Sequence, residues 1–372
     1  MKIVAFPKDT VPYQELLYQP LREMGHTVDY LDGPTGSHTL NVLAFPWMAF
    51  YYRSHGYRTF HLHWVYLFKL PWLGSAGRAL MQVYFMGCIW WLKILGFKLV
   101  WTVHNVMPHS PQFLQDVQAR RFLAARADRL IVHSSATLAE LKARGISTAR
   151  AVVVPQGSYV DVYEHTISQA TARKELGIPL SARVVLFFGR IEPYKNLPAL
   201  QRSFEDLHKT HPELYLIIAG KCDSLKTVRQ LGAFQAAFGK NVVLRIQFIA
   251  DEQLQIYFAA ADVAAFPFKE VTTSATVMTA LSFGTPVVAP RLGALVDIPE
   301  EVGFWYNAQE PAGLTNALRR SVTSPSLAKW QERALEYATE FSWDAIAIQT
   351  LAALPHADEL TVVPGDQNMP SI

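Results

Sequence analysis

The sequence predicts an α/β protein built from two doubly wound, Rossmann-like units. Three observations predict it. Short β-rich apolar runs alternate with helical periodicity along most of the 372 residues. The alternation occurs twice, on either side of a polar stretch at 156–182. The length exceeds what one ordinary core needs and suits two domains of common size.

In the first half, KIVAF at 2–6 is a strand. PYQELLYQPLREMG follows, with Leu16, Leu17, Leu21 and Met24 at helical spacing and Gly25 as its stop. HTVDYL at 26–31 gives the second strand and residues 60–64 the third. KLVWTVH at 98–104, DRLIVHS at 128–134 and AVVVP at 151–155 give three more, with helices in the gaps. The second series runs RVVLFFG at 183–189, a helix from about Leu197, LYLIIAG at 214–220, NVVLRI at 241–246, DVAAFPF at 262–268 and PVVAP at 286–290. Strands alternating with helices imply parallel sheets covered on both faces. The predicted domains are 1–160 and 161–340, followed by an apolar helix at 341–354 and a loosely held tail at 355–372. Open sheets of this kind place ligands outside the carboxyl ends of their strands, here in a cleft between the units.

Composition narrows the class. Half of the residues are hydrophobic and 17% are charged, which excludes a disordered chain. Cys88 and Cys222 form no CxxC or zinc spacing and read as reduced thiols of a cytoplasmic protein. MKIVAFPKD lacks the apolar length of a signal peptide, so no export is expected. Residues 1–155 carry 16 Lys and Arg against 8 Asp and Glu, a balance of +8, whereas the remainder carries 18 against 23, a balance of −5. The basic half suits an anionic membrane surface or a phosphorylated acceptor. No basic helix shows the aromatic interleaving of a nucleic-acid module, so no nucleic-acid partner is expected. The segment 79–97 holds 19 residues with one charge, Lys93, close to the length of a membrane span. Because it lies between two strands of one sheet, it reads as a helix docked on that sheet, either wholly buried there or with part of its aromatic face reaching a bilayer. Trp47, Tyr51, Tyr52, Trp64, Tyr66, Trp72, Trp90 and Trp91 add rings of the kind that favour the headgroup zone.

Two motifs carry chemistry. In FFGRIEPYKN, 187–196, a strand ends at Gly189 and two cations follow, Arg190 and Lys195. Fixed positive charge at a strand's carboxyl edge stabilises a departing diphosphate, Arg through two nitrogens and Lys as a point charge. In PFKEVTTSATVMTALSFGTPVVAP, 267–290, Glu270 follows a strand, and Thr272, Thr273 and Ser274 open a helix. Free amides at Thr273 and Ser274, the hydroxyls and the helix dipole all favour an anion there. WTVHN at 101–105 ends a strand in His104, with His109 as a weaker candidate in the same loop. FPKDTVPYQ at 6–14 follows the first strand and brings Lys8 and Asp9 to the same edge.

The order G-R-x-x-x-x-K-N, an acidic residue opening a helix, then A-x-x-x-G-x-P-V-V-A resembles retaining glycosyltransferases of the GT-B fold, the group of glycogen synthases and family 4 bacterial polysaccharide enzymes. The resemblance implies that Arg190 and Lys195 hold the donor diphosphate, that Glu270 contacts the donor sugar and that His104 lies beside it. It implies a helix crossing back to the first domain from EFSWDAIA, 340–347. The chain departs from the pattern at the second Glu of the family's motif. Met278 stands eight residues after Glu270, and alignment on the following Gly-Thr-Pro puts Thr279 opposite the missing Glu. The expected donor is a nucleotide-diphosphate sugar, the expected acceptor a glycan or lipid-linked sugar. No metal or other cofactor is expected, since no DxD-like pair ends a strand and two cations supply the charge. Were the enzyme inverting, Asp9 and His104 would be the candidate bases. A nucleotide-sugar epimerase and a non-catalytic partner in a glycan assembly complex are the alternatives.

Overall fold

The computed structural model describes residues 1–9, 12–33, 35, 38–65, 67–68, 73–108 and 110–355. It divides into two compact units, Met1–Pro155 together with the chain from Trp343, and Gln156–Ser342. His109, Tyr66, Trp72 and all of the tail after residue 355 lie outside the described residues.

Unit one runs β1 (Lys2–Phe6), α1 (Tyr13–Glu23), β2 (Thr27–Tyr30), α2 (His38–Leu43), α3 (Phe45–Ser54) and β3 (Thr59–Leu62). It continues through α4 (Gly74–Ile94), β4 (Lys98–Val103), α5 (Asp116–Arg126), β5 (Arg129–Val132), α6 (Ser135–Ala143) and β6 (Ala151–Val153). Its strands form one parallel sheet in the order β2-β1-β3-β4-β5-β6. The chain therefore reverses direction across the sheet between β1 and β3, the switch point at which such sheets bind ligands.

Unit two runs α7 (Gln169–Leu176), β7 (Arg183–Phe188), α8 (Leu197–His208), β8 (Leu214–Ala219), α9 (Leu225–Phe238), β9 (Val242–Arg245) and α10 (Leu254–Ala260). Then come β10 (Val263–Ala265), α11 (Ala275–Ser282), β11 (Val287–Pro290), β12 (Gly303–Tyr306), α12 (Gly313–Val322) and α13 (Leu327–Thr339). The sheet order is β12-β11-β10-β7-β8-β9, again parallel, with its reversal between β7 and β10. The final helix, α14 (Trp343–Ala353), packs on α1 in unit one, and its Trp343 ring meets Tyr13 edge-on at 5.4 Å.

The strands foreseen from apolar runs are present, because a strand covered on both faces needs apolar residues at every position. All six residues of β8 and four of the six in β7 are buried. β12 was not foreseen: GFWY is four residues, opens on glycine and lacks an aliphatic run. The stretch 79–97 is mostly α4, which buries Gly77, Met81, Phe85, Cys88, Ile89 and Leu92 against the sheet. No helix among the described residues is long and apolar enough to cross a membrane.

The two units repeat one staple. Asp128, just before β5, accepts the Leu99 amide of β4 at 2.7 Å and the Lys93 ammonium of α4 at 2.5 Å. Asp262, just before β10, accepts the Val184 amide of β7 at 2.7 Å and the Arg173 guanidinium of α7 at 3.0 Å. In each case one carboxylate ties a covering helix to the starts of two neighbouring strands. The cores differ in kind. Unit one stacks Phe6, Phe45, Phe60, Phe68 and Phe85 in edge contacts, whereas the strands of unit two pack mainly Val, Leu and Ile.

Candidate active site

In unit two, the loop after β7 bends at Gly189, whose φ of +99° disfavours any residue with a side chain. Space forbids one as well. A Cβ on Gly189 would lie 2.6 Å from Lys195 Nζ and 3.0 Å from Thr276 Cγ2. The ammonium and the first turn of α11 thus abut the same point of backbone, at the carboxyl end of the switch-point strand. Lys195 closes a single 3-10 turn, Pro193–Lys195, and is only 5% exposed. Its hydrogen bond to a protein group is a long one, 3.5 Å to the Phe188 carbonyl. Burial lowers its pKa to about 8, against the opposing pull of Glu192.

The second motif is laced to the first. The Lys269 amide donates to the Tyr194 carbonyl at 2.8 Å, and Tyr194 stacks on Phe268. This places the exposed Glu270 in a segment bound directly to the turn that carries Lys195. On the other side, the Ala294 amide donates to the Thr272 carbonyl at 2.9 Å, and Gly293 packs so closely that a Cβ would lie 1.8 Å from the Val271 carbonyl oxygen. Loops from β7, β10 and β11 therefore share one edge.

The helix begins later than the sequence reading placed it. Ser274 is its N-cap, accepting the Val277 amide at 3.3 Å, so the open first-turn amides belong to Ala275 and Thr276 rather than to Thr273 and Ser274. Thr272 and Thr273 are half-buried beside it. Thr279 is buried, and its hydroxyl donates to the Ala275 carbonyl at 2.9 Å, so its proton is spent inside its own helix. Met278 is also buried. Arg190 is exposed and held by two carboxylates, Glu192 at 2.7 Å and Asp223. Such surface pairs are weak enough to be exchanged for a better anion.

In unit one the switch point is lined by histidines. The His63 amide donates to the Phe6 carbonyl at 2.8 Å, joining the ends of β3 and β1. The Tyr18 hydroxyl contacts His61 Nδ1 at 2.8 Å and His63 Nε2 at 2.6 Å. His61 Nε2 reaches Thr102 at 2.7 Å, and His63 Nδ1 reaches His104 Nε2 at 3.1 Å. With all three rings neutral, this chain has one donor and one acceptor at each contact, whichever way it runs. Trp64 stacks on His104 at 4.3 Å, and Tyr13 meets it edge-on at 4.8 Å. Burial, with neighbouring His133 and His61, holds His104 well below the usual imidazole pKa, and burial alone takes His61 down to about 3. His133 Nδ1 bonds the Val154 carbonyl at 2.9 Å, which leaves Nε2 a buried lone pair without a partner among the described residues. The half-buried Asp9 stands in the loop after β1, its amide donating to Gln14 at 2.9 Å, one residue from the Tyr13 that faces His104. Lys8 lies over the Tyr30 ring.

His61, His63, His133 and Tyr18 were not singled out from sequence. The H-x-H spacing of His61 and His63 was the available signal, since alternate residues of a strand share a face. No group of three or more His, Cys, Asp or Glu suited to hold a metal occurs among the described residues.

Residues 182–324 match the family model for glycosyl transferases group 1, and residues 13–162 match that for glycosyltransferase family 4. The D-inositol 3-phosphate glycosyltransferase of Corynebacterium efficiens is 30% identical over 289 residues, covering 71% of this chain and 67% of that protein. The chain belongs to the family 4 glycosyltransferases. A second relative of this glycosyltransferase, the D-inositol 3-phosphate glycosyltransferase of Streptomyces avermitilis, is 31% identical over 61% of the chain, and the match spans 52% of that protein. In fold the glycosyltransferase is similar to the sucrose-phosphate synthase of Thermosynechococcus elongatus, with a TM-score of 0.74 at 21% identity over 94% of this chain and 97% of that one. It is similar also to Anabaena HepE in complex with UDP, with a TM-score of 0.71 at 19% identity over 95% and 100%. These likenesses identify the paired Rossmann-like units as the GT-B fold.

Proposed function

We propose that the protein transfers a hexosyl group, with retention of configuration, from a nucleotide-diphosphate sugar to a glycan or lipid-linked acceptor, in the synthesis of an exopolysaccharide or other bacterial cell-surface glycan. The observation that carries the reading is Lys195, a buried ammonium with one long hydrogen bond, set against the open end of α11. A buried cation so poorly paired is costly unless an anion completes it. A diphosphate is such an anion. As the anomeric C–O bond breaks, the departing phosphate gains charge, and Lys195, Arg190, Gly189 and the start of α11 with Thr272, Thr273 and Ser274 stabilise it. The same phosphate takes the acceptor's proton, so positioning replaces a protein base. Glu270 orients the sugar, and neutral His104 offers it a hydrogen bond. Thr279 contributes through the helix rather than by contact. Cations and helix amides supply the positive charge, so turnover persists in a metal chelator.

Two similarities support the donor. The HepE fold is known with UDP and with UDP-glucose, and the relatives are glycosyltransferases by name. The relatives' acceptor, D-inositol 3-phosphate, favours a second reading in which a phosphorylated polyol accepts the sugar; the basic first half suits either. The test is a thermal-shift screen against UDP, GDP, ADP and their sugars, since ligand bound only to the native state raises its melting temperature. The donor it identifies is then incubated with a lipid-diphosphate-linked sugar or with D-inositol 3-phosphate, and the product's anomeric configuration is read by NMR. Full turnover by a Lys195→Ala, Arg190→Ala double variant would refute the phosphate assignment.

A further inference from the structure

The surface of unit one has a face that ordinary solvated surfaces lack. α4 has an apolar outer stripe. Beyond its first two residues, Gly74 and the polar Ser75, its exposed positions are Ala76, Leu80, Val83, Gly87, Trp90 and Ile94, spaced alternately four and three residues apart, while Arg78, Gln82 and Lys93 are half-buried. Val83 and Ile94 are each 70% exposed. At 1.5 Å per residue the stripe runs about 27 Å. A helix of a water-soluble surface carries charges on its outer face, and one whose outer stripe is apolar as well as its buried face needs an apolar neighbour or a membrane.

The stripe does not end at the helix. The Trp91 indole donates to the Pro46 carbonyl at 2.9 Å, and the Tyr84 hydroxyl donates to the Val42 carbonyl at 2.8 Å, so α2 and α3 lie alongside α4. Their outer positions include Leu40, Leu43, Trp47, Phe50 and Tyr51, with Trp47 78% exposed, and the polar Ser54 closes α3. Charge distinguishes this region further. Residues 33–115 include no Asp or Glu at all, yet they carry six Lys and Arg and six of the nine Trp. The Arg126 guanidinium lies 4.5 Å over the Trp90 ring at the patch.

We propose that the outer faces of α2, α3 and α4 form a docking surface for the headgroup region of an anionic lipid bilayer. Indole and aliphatic side chains enter the interface, and the predominantly basic surround is held by anionic headgroups. The three-and-four spacing would also fit a partner helix, but a second copy of this chain would set one predominantly basic face against another. A bilayer alone among these occupants offers both apolar depth and negative charge. The inference rests on the surface of unit one and is independent of the transfer reaction.

The experiment is vesicle flotation of the full chain at low salt, with vesicles of phosphatidylcholine containing 30% phosphatidylglycerol or of phosphatidylcholine alone. The wild type is expected to float with the anionic vesicles, at least tenfold more than with neutral ones, and to be released by added salt. A Val83→Glu, Ile94→Glu double variant, altered only at exposed positions, should lose at least tenfold in partitioning with an unchanged melting temperature. Should that variant unfold, Trp47→Ser with Phe50→Ser tests the same face from α3. Wild-type protein that stays at the bottom of the gradient, equal flotation with neutral vesicles, or folded variants that float like wild type each overturn the proposal. So does a sedimenting wild-type dimer that the variants dissociate and that does not float.

Discussion

At the switch point of unit two, a buried ammonium has one long hydrogen bond. At the switch point of unit one, buried imidazoles and a tyrosine hydroxyl satisfy one another in a continuous chain. Both sites lie at the carboxyl ends of parallel strands and both bury titratable groups, yet they solve burial in opposite ways. Unit one meets it by neutrality: its histidines are pushed below their ordinary pKa and need no counter-charge. Unit two keeps a charge and leaves it underpaired. The difference teaches that a buried site is prepared for a ligand at the groups its neighbours leave incomplete, Lys195 in unit two and the His133 ring edge in unit one, and is a scaffold where they complete each other, as from Tyr18 to His61 and His63.

The sharpest way to break the comparison is Lys195→Met. Removal of one preorganised cation should cut kcat/KM by about 10²–10³-fold. It should also stabilise the ligand-free protein. The ammonium's pKa of about 8, against about 10.5 in the unfolded chain, means that the native state is penalised at neutral pH, by up to about 3 kcal/mol. In the wild type that penalty is relieved as pH rises from about 8 to 10.5, the same direction in which phosphate affinity is lost. Urea unfolding of the two proteins at pH 7 reads the gain; a less stable variant would mean that Lys195 is a structural residue.

Tyr18→Phe tests the opposite claim. It should destabilise by about 2–3 kcal/mol, because two buried imidazole nitrogens lose their partner at once. A neutral result by calorimetry would show that the chain is not a scaffold.

Acid titration separates the sites next. Histidines whose native pKa is lowered bind fewer protons than the unfolded chain below about pH 6.5. The histidines' contribution to stability should therefore be flat above that value and fall below it, by about 1.4 kcal/mol per pH unit for each such imidazole. For His61 the loss continues down to about pH 3. The smallest effect is expected from Thr279→Val, which removes a hydroxyl bonded within α11; donor affinity measured by calorimetry should change less than about twofold.

The fold was largely legible because strands such as RVVLFF and LYLIIA are buried on both faces and announce it by composition. β12 was not, since GFWY owes its place to pairing with β11, a partner the local sequence does not reveal. The loop proposed to hold the phosphate was picked out from sequence too. Gly189, Arg190 and Lys195 lie close together in one loop, and their charge is plain from residue type. Two things were hidden. The capping role of Ser274 depends on where the helix actually starts, and that start puts the open amides two residues later than the sequence reading did. The link from Tyr18 to His61 and His63 joins residues more than forty positions apart, and only the parallel order β2-β1-β3 brings helix α1 over both.

The return of α14 to unit one bears on how the protein is made. Unit two is contiguous, Gln156–Ser342, but unit one takes its last helix from beyond it, and Trp343, Ile346 and Ala347 of that helix are buried. During synthesis the second unit can therefore close first, while the first waits with the face of α1 uncovered until the end of the chain leaves the ribosome. Premature termination at residue 342 would remove nothing from the unit just finished and would cripple the one begun earliest.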